Sequence, residues 1–200
     1  MDTTFSGAAD GAHNLTDQTP AEPPRFVGID FSLTATGIAV IDGGTARTEL
    51  VKTRPDDGTI DGFTRRCASI VQGLFEAGEL FSGDRVAIEG VSMHSRSSSL
   101  DRIYGGWWLV ASELQAYLAH PIVVITPSQR AKYATGKGNA GKDAVLLSVA
   151  RRYPDVPVAD NNEADALVLA AMIARLGGRP IDIGLPLTHI DALAKVRWDA

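Results

Sequence analysis

The chain has 200 residues, a net charge of −5 and one cysteine, Cys67. A single cysteine excludes an internal disulfide, and no Cys/His spacing suggests zinc. No apolar run approaches the roughly 20 residues that span a bilayer. The acidic balance does not advertise nucleic-acid binding, but binding depends on local patches. Residues 126–153 carry Arg130, Lys132, Lys137, Lys142, Arg151 and Arg152 against one acid, Asp143.

Residues 1–24 are polar and rich in Gly, Ala and Pro. They lack the basic start and apolar run of a signal peptide, so a disordered tail and a cytoplasmic protein are expected. Three strands follow, over 25–32, 36–42 and 46–53. Their short polar links, Gly43-Gly44 among them, predict an antiparallel meander. Phe63, Cys67, Ile70, Val71 and Leu74 recur at helical spacing. A short apolar strand, 84–90, ends in Glu89, and a polar loop follows. A long helix covers about 99–119, and a fifth strand 121–127. The segment 128–141 reads as a basic, glycine-containing loop. It leads into a helix whose apolar face is Val145, Leu146 and Val149. After the loop 154–162 comes a helix around "ADALVLAAMIA". A short amphipathic helix is expected after Thr188, with Asp191 placed as in a capping box. Antiparallel strands followed by alternating strands and helices predict an α/β fold, a mixed five-stranded sheet with helices on both faces.

Three carboxylates stand out. Asp165 is the one charge in an otherwise apolar helix: Val168, Leu169, Met172 and Ile173 share its face. A buried carboxylate needs a partner or a proton. Its structural alternatives are an ion pair with an arginine or an N-cap, and the first helical turn favours a negative charge. Asp30 ends "FVGI" and is otherwise a turn former. Glu89 ends "VAIE" and is otherwise a solvated strand terminus. In a sheet of this order the first and fourth strands are central neighbours, and a last helix across the sheet can bring Asp165 to them. Three acids in one place repel unless cations neutralise them, and hard oxygen ligands select Mg²⁺ or Mn²⁺. Two such ions about 3.5–4 Å apart suit phosphodiester hydrolysis.

"GKGNAGK", residues 136–142, meets the P-loop spacing. However, Asp143 replaces the magnesium-binding Ser or Thr, and Ile125 lies eleven residues before Gly136, so nucleotide binding is not expected. Gly136 and Gly138 instead allow a phosphate chain close to the backbone. No nucleophile motif supports acyl chemistry.

In order, "GIDFSLTATGIAV", "VAIEG", "TPSQRAKYATGKGNAGKDAV" and "NEADALVLA" resemble the RuvC-type Holliday-junction resolvases of the ribonuclease H-like superfamily. The resemblance runs from Phe26 to Leu176. The unusual chain ends and loose motif matches look more like a phage or prophage branch. The resemblance implies catalytic acids at Asp30, Glu89 and Asp165, two Mg²⁺ or Mn²⁺ ions per site, and catalytic lysines at Lys132 and Lys142. The family's fourth ligand position falls on Asn162, where Asp or His is common, with Asp160 in reserve. DNA contacts would come from Lys132, Lys137, Lys142, Arg130, Arg96 and Met93. Met93 lies where the family carries an aromatic wedge. His94 is expected as an exposed loop residue, and Arg102 as either a phosphate contact or solvated surface. Trp107 and Trp108 are expected in the core or a subunit interface, because this helix helps form the family's homodimer. The implied organisation is a tail over 1–24, a nuclease domain over 25–178 and an extension over 179–200. The partner would be four-way or other branched DNA, with no membrane. Two other readings stay open: a branched-DNA-binding module with weak cleavage, and an actin-like kinase suggested by the hairpin "GIDFSLTATG".

Overall fold

The computed structural model describes residues 23–91 and 100–198. The first three strands, β1 (Phe26–Asp30), β2 (Ala35–Asp42) and β3 (Thr45–Lys52), form the expected antiparallel meander. Helix α1 (Ile60–Gly78) returns the chain to β4 (Arg85–Glu89), which pairs in parallel with β1. Helix α2 (Leu100–Tyr117) precedes β5 (Val123–Ile125), parallel to β4, which completes a mixed sheet of order β3-β2-β1-β4-β5.

Side chains alternate across the pleat, so each central strand feeds two cores. Val27, Ile29, Ile38, Val40, Val86 and Ile88 face α1 and α2, burying Cys67, Ile70 and Leu74 as the helical spacing requires. The opposite face carries Phe26, Ala39, Ile41 and Ala87 against α5 (Asn161–Leu176). By the same alternation Gly28, Asp30, Gly37 and Glu89 belong to the α5 face. Both glycines are needed there. A Cβ at Gly28 would lie 2.0 Å from the Ala166 carbonyl oxygen, and one at Gly37 2.1 Å from that of Asn162. The α5 backbone therefore rests directly on β1 and β2, and every residue from Glu163 to Ala174 is buried.

Two local expectations are corrected. The segment after β5 is not a loop but helix α3 (Pro127–Thr135). Thr126 and Gln129 cap it reciprocally, with Pro127 in the first turn, a start signal hidden among basic and glycine residues. Helix α4 (Lys142–Arg152) follows as expected, with Val145 and Val149 buried. The last short helix, α6 (Leu187–Ile190), begins before Thr188, and no side chain caps it. Asp191 instead opens a 3-10 turn, Asp191–Leu193. Among the described residues no helix is long and apolar enough to cross a membrane.

The residues after α5 dock back onto α3 and α4. Asp182 is buried and accepts hydrogen bonds from the Tyr133 hydroxyl (2.8 Å) and the Tyr153 hydroxyl (2.8 Å). The Arg175 guanidinium lies 2.7 Å from its other oxygen. His189 packs against Gly136 and meets the Tyr133 carbonyl at 2.8 Å. Removing one partner of such a buried network leaves the others unpaired. Asp182→Ala is therefore expected to lower unfolding free energy by about 3 kcal/mol or more, and Asp182→Asn by less, as read from urea unfolding midpoints.

Candidate active site

β1 and β4 run in parallel register, with Ile29 beside Ile88. Their terminal residues, Asp30 and Glu89, emerge side by side on the α5 face. Gly37 pairs with Asp30 across β2, and the first turn of α5 crosses above that glycine. Asp165, on the second turn, is thereby lowered onto the same end of the sheet, with 1% of its surface exposed. The Glu89 backbone is held by the Trp107 indole N–H, which donates to its carbonyl at 2.8 Å.

A buried arginine sits among the acids. Arg130, on the first turn of α3 and 6% exposed, donates from Nε to Glu89 Oε1 at 2.7 Å. Its Nη1 lies 2.6 Å from Asp165 Oδ1, but the N–H does not point at that oxygen. Both Asp165 oxygens remain buried without a hydrogen bond. The ion pair with an arginine, the alternative weighed for Asp165 from sequence, is thus present. Arg130 itself, expected at the DNA surface, is turned inward by two carboxylates.

The electrostatics follow from this crowding. Burial raises the Asp30 pKa well above the usual carboxylate range; Glu89 and Asp165 raise it further, while Arg130 and Lys142 oppose them. Burial pushes Asp165 up to about 7, with Arg130 opposing, Glu89 adding to the rise and Lys142 opposing. Arg130 is itself raised, because the attraction of Glu89 and Asp165 outweighs the cost of its burial.

The remaining expected residues divide sharply. Lys142, exposed at the start of α4, is close enough for its charge to reach both Asp30 and Asp165. Lys132 points the other way, 3.9 Å from Asp191, so the structure does not bring it to the acids. Its register on α3 sends it to the docked C-terminal segment, and the inward-facing basic residue is Arg130. Lys137 is exposed in the turn between α3 and α4. Asn162 lies on the first turn of α5, half-buried over Gly37. Asp160 is the N-cap of α5: one of its oxygens accepts from the Asn162 and Glu163 amides at 2.9 and 3.0 Å, so capping already engages it. Glu163 turns back to the Ala159 amide, away from Asp165. Arg102 is committed internally, to Asp56 and to the face of Phe63. Met93, His94 and Arg96 lie outside the described residues. Sequence reasoning missed Asn161, whose side-chain oxygen is buried without a partner one turn before Asp165. The only signal was its i, i+4 spacing.

The donor chemistry fits a hard divalent cation: oxygen donors, with Asp165 offering two oxygens free of hydrogen bonds. As they stand, no three Asp, Glu, His or Cys side chains among the described residues form a group that could hold a metal ion. Arg130 lies between Glu89 and Asp165, so loading requires it to give ground.

The Asp165 shift has a definite sign. A folded-state pKa above the unfolded value of about 3.9 makes the charged form a cost of folding. That cost is full above pH 7 and shrinks as pH falls below 7. In chelator, lowering pH from 8 to 5.5 should stabilise the fold by about 2 kcal/mol, or about 4–8 °C in Tm. Asp165→Asn should weaken this dependence in thermal melts, leaving the part that buried Asp30 contributes.

No protein-family model matches the chain. The crossover junction endodeoxyribonuclease RuvC of Bartonella tribocorum is 30% identical over 152 residues, which are 75% of this chain and 88% of that protein. The RuvC of a Parafrankia species is 32% identical over 155 residues, 73% of this chain and 83% of its own. Among solved structures, Thermus thermophilus RuvC matches with a TM-score of 0.55 and 23% identity, over 78% of this chain and 97% of that one. The same protein in complex with a Holliday junction substrate matches at 0.52 and 26% identity, with the same coverage. With the ribonuclease H-like sheet and helices in place and a relative of this identity spanning three quarters of it, the chain belongs to the RuvC family of crossover junction endodeoxyribonucleases.

Proposed function

We propose that the protein is a metal-dependent, structure-selective endonuclease that resolves Holliday junctions or related branched DNA by hydrolysing phosphodiester bonds. What supports this reading is that Asp30, Glu89 and Asp165 stand near enough at one end of the sheet for their charges to act on one another, within reach of the Lys142 charge. Asp30, Glu89, Asp165 and Asn162 would hold two Mg²⁺ or Mn²⁺ ions. When bound, these supply the Lewis-acid chemistry for water attack on a phosphate.

The chain's own groups have separate tasks. Lys142 sits at a helix N-terminus and adds positive charge where a phosphodiester gains negative charge. Lys137, with Arg151 on the exposed side of α4, would position the phosphate backbone without reading sequence. Residues 25–178 form the nuclease domain in this reading, and the segment after them braces α3 and α4 through Asp182 and His189.

A homodimer suits a four-way junction, since two sites can nick opposed strands. The face that supports this is apolar and lies over α2 and the edge strand β5. Trp108 is 65% exposed and Val124 49%, beside a groove lined by Trp107 and Ile122.

Two measurements test the reading. Asp30→Asn and Asp165→Asn should each reduce nicking of four-way DNA in Mg²⁺ or Mn²⁺ by about a thousandfold or more. Junction affinity should stay within about threefold, because binding rests on phosphate contacts. Normal cutting by Asp165→Asn would remove that residue from the site. In light scattering the protein should have twice the mass of one chain, and Trp108→Glu should return it to a monomer that still folds.

A further inference from the structure

We infer that Arg130 is a resident cation that competes with the divalent metal for Glu89 and Asp165, so that the two ions load in separate steps. The inference rests on the proposed metal-dependent reading and goes beyond it by assigning a residue that sets metal affinity. Three observations carry it. Arg130 is buried, and its guanidinium spans the two carboxylates at 2.7 and 2.6 Å. An arginine in a protein stays charged, so it cannot withdraw by losing its proton. The two contacts are also unequal. Glu89 receives an aligned hydrogen bond, whereas Asp165 accepts none on either oxygen.

The inequality sets the order. An ion held by Asp30 and Asp165 would contend with the 2.6 Å ion pair between Arg130 and Asp165 but would displace no aligned hydrogen bond there. An ion that needs Glu89 must take it from Arg130, which then loses an aligned, charge-assisted bond in a buried place. The first step is therefore tight and the second weak. Arg130 can hold this position because α3 is rigid, fixed at its start by the Thr126–Gln129 capping box and from its other side by the Tyr133–Asp182 bond. Lys142 does not share the role: it is exposed, and no ion pair ties it to an acid among the described residues.

The test is Mn²⁺ binding by the full chain without DNA, followed by calorimetry and by the spin-resonance signal of free Mn²⁺. The wild type should bind in two steps. Arg130→Met, which keeps length but not charge, should tighten the weaker step about tenfold or more, and Arg130→Gln should act likewise. Arg130→Lys, which keeps the charge, should remain within about threefold of the wild type. A neutral variant that is unfolded in chelator but folds on adding Mn²⁺ would report the same competition. Neutral variants that bind both ions no more tightly than the wild type, or that stay unfolded in Mn²⁺, would overturn the inference while leaving the nuclease reading intact. If neither wild type nor variants take up Mn²⁺, both fall.

Discussion

The close contact between α5 and the sheet is the constraint on which the site depends. A helix normally stands off a sheet by the thickness of two side-chain layers. Here Gly28 and Gly37, on neighbouring strands, remove one layer and let the backbone of α5 touch the strands. The first contact lies beside Asp30, because Gly37 is its partner in the ladder. Asp165 follows Asn162 by one turn, so the packing of two glycines decides where that carboxylate sits. A methyl group at either position would drive α5 outward and carry Asp165 away from Asp30 and Glu89.

Closeness creates the electrostatic problem that the rest of the site answers. Each carboxylate raises the pKa of its neighbour, and burial removes the water that would screen them. The fold responds with an arginine rather than a lysine. A guanidinium offers several donors at fixed angles and can span two acids. It donates one aligned hydrogen bond to Glu89 and none to Asp165. A site built to bind its counter-ion permanently would satisfy both. Both Asp165 oxygens are left without a hydrogen bond, so the Arg130 ion pair is what opposes its charge there.

Much of this was legible in the chain because its signals are periodic. The order of strands placed Asp30 and Glu89 on neighbouring central strands, and the pleat of the folded sheet then puts both on the α5 face. The apolar ring around Asp165 announced its burial. What escaped was set by contacts distant in sequence. Helix α3 was hidden because Arg130 and Lys132 interrupt its short apolar pattern and a glycine-rich turn follows it, although Thr126, Pro127 and Gln129 spelled its start. The inward turn of Arg130 and the outward turn of Lys132 differ by two residues on one helix. Composition treats them alike, and only the docking of α3 against the acids on one side and Asp191 on the other separates them.

That docking joins the C-terminal segment to the chemistry. Tyr133 follows Arg130 by three residues, close to one turn of α3, and its hydroxyl is bonded to buried Asp182. Arg175 leaves the end of α5 to meet the same aspartate and the same tyrosine. The helix bearing Asp165 and the helix bearing Arg130 are therefore tied twice, at the acids and again at Asp182. Loosening the second tie frees α3 to shift relative to α5, and a shift of about 1 Å is enough to break a hydrogen bond. The Glu89–Arg130–Asp165 geometry thus depends on residues after α5, which act through α3 and the end of α5. The part of the chain beyond the resemblance is in this sense a support of the site rather than an appendage to it.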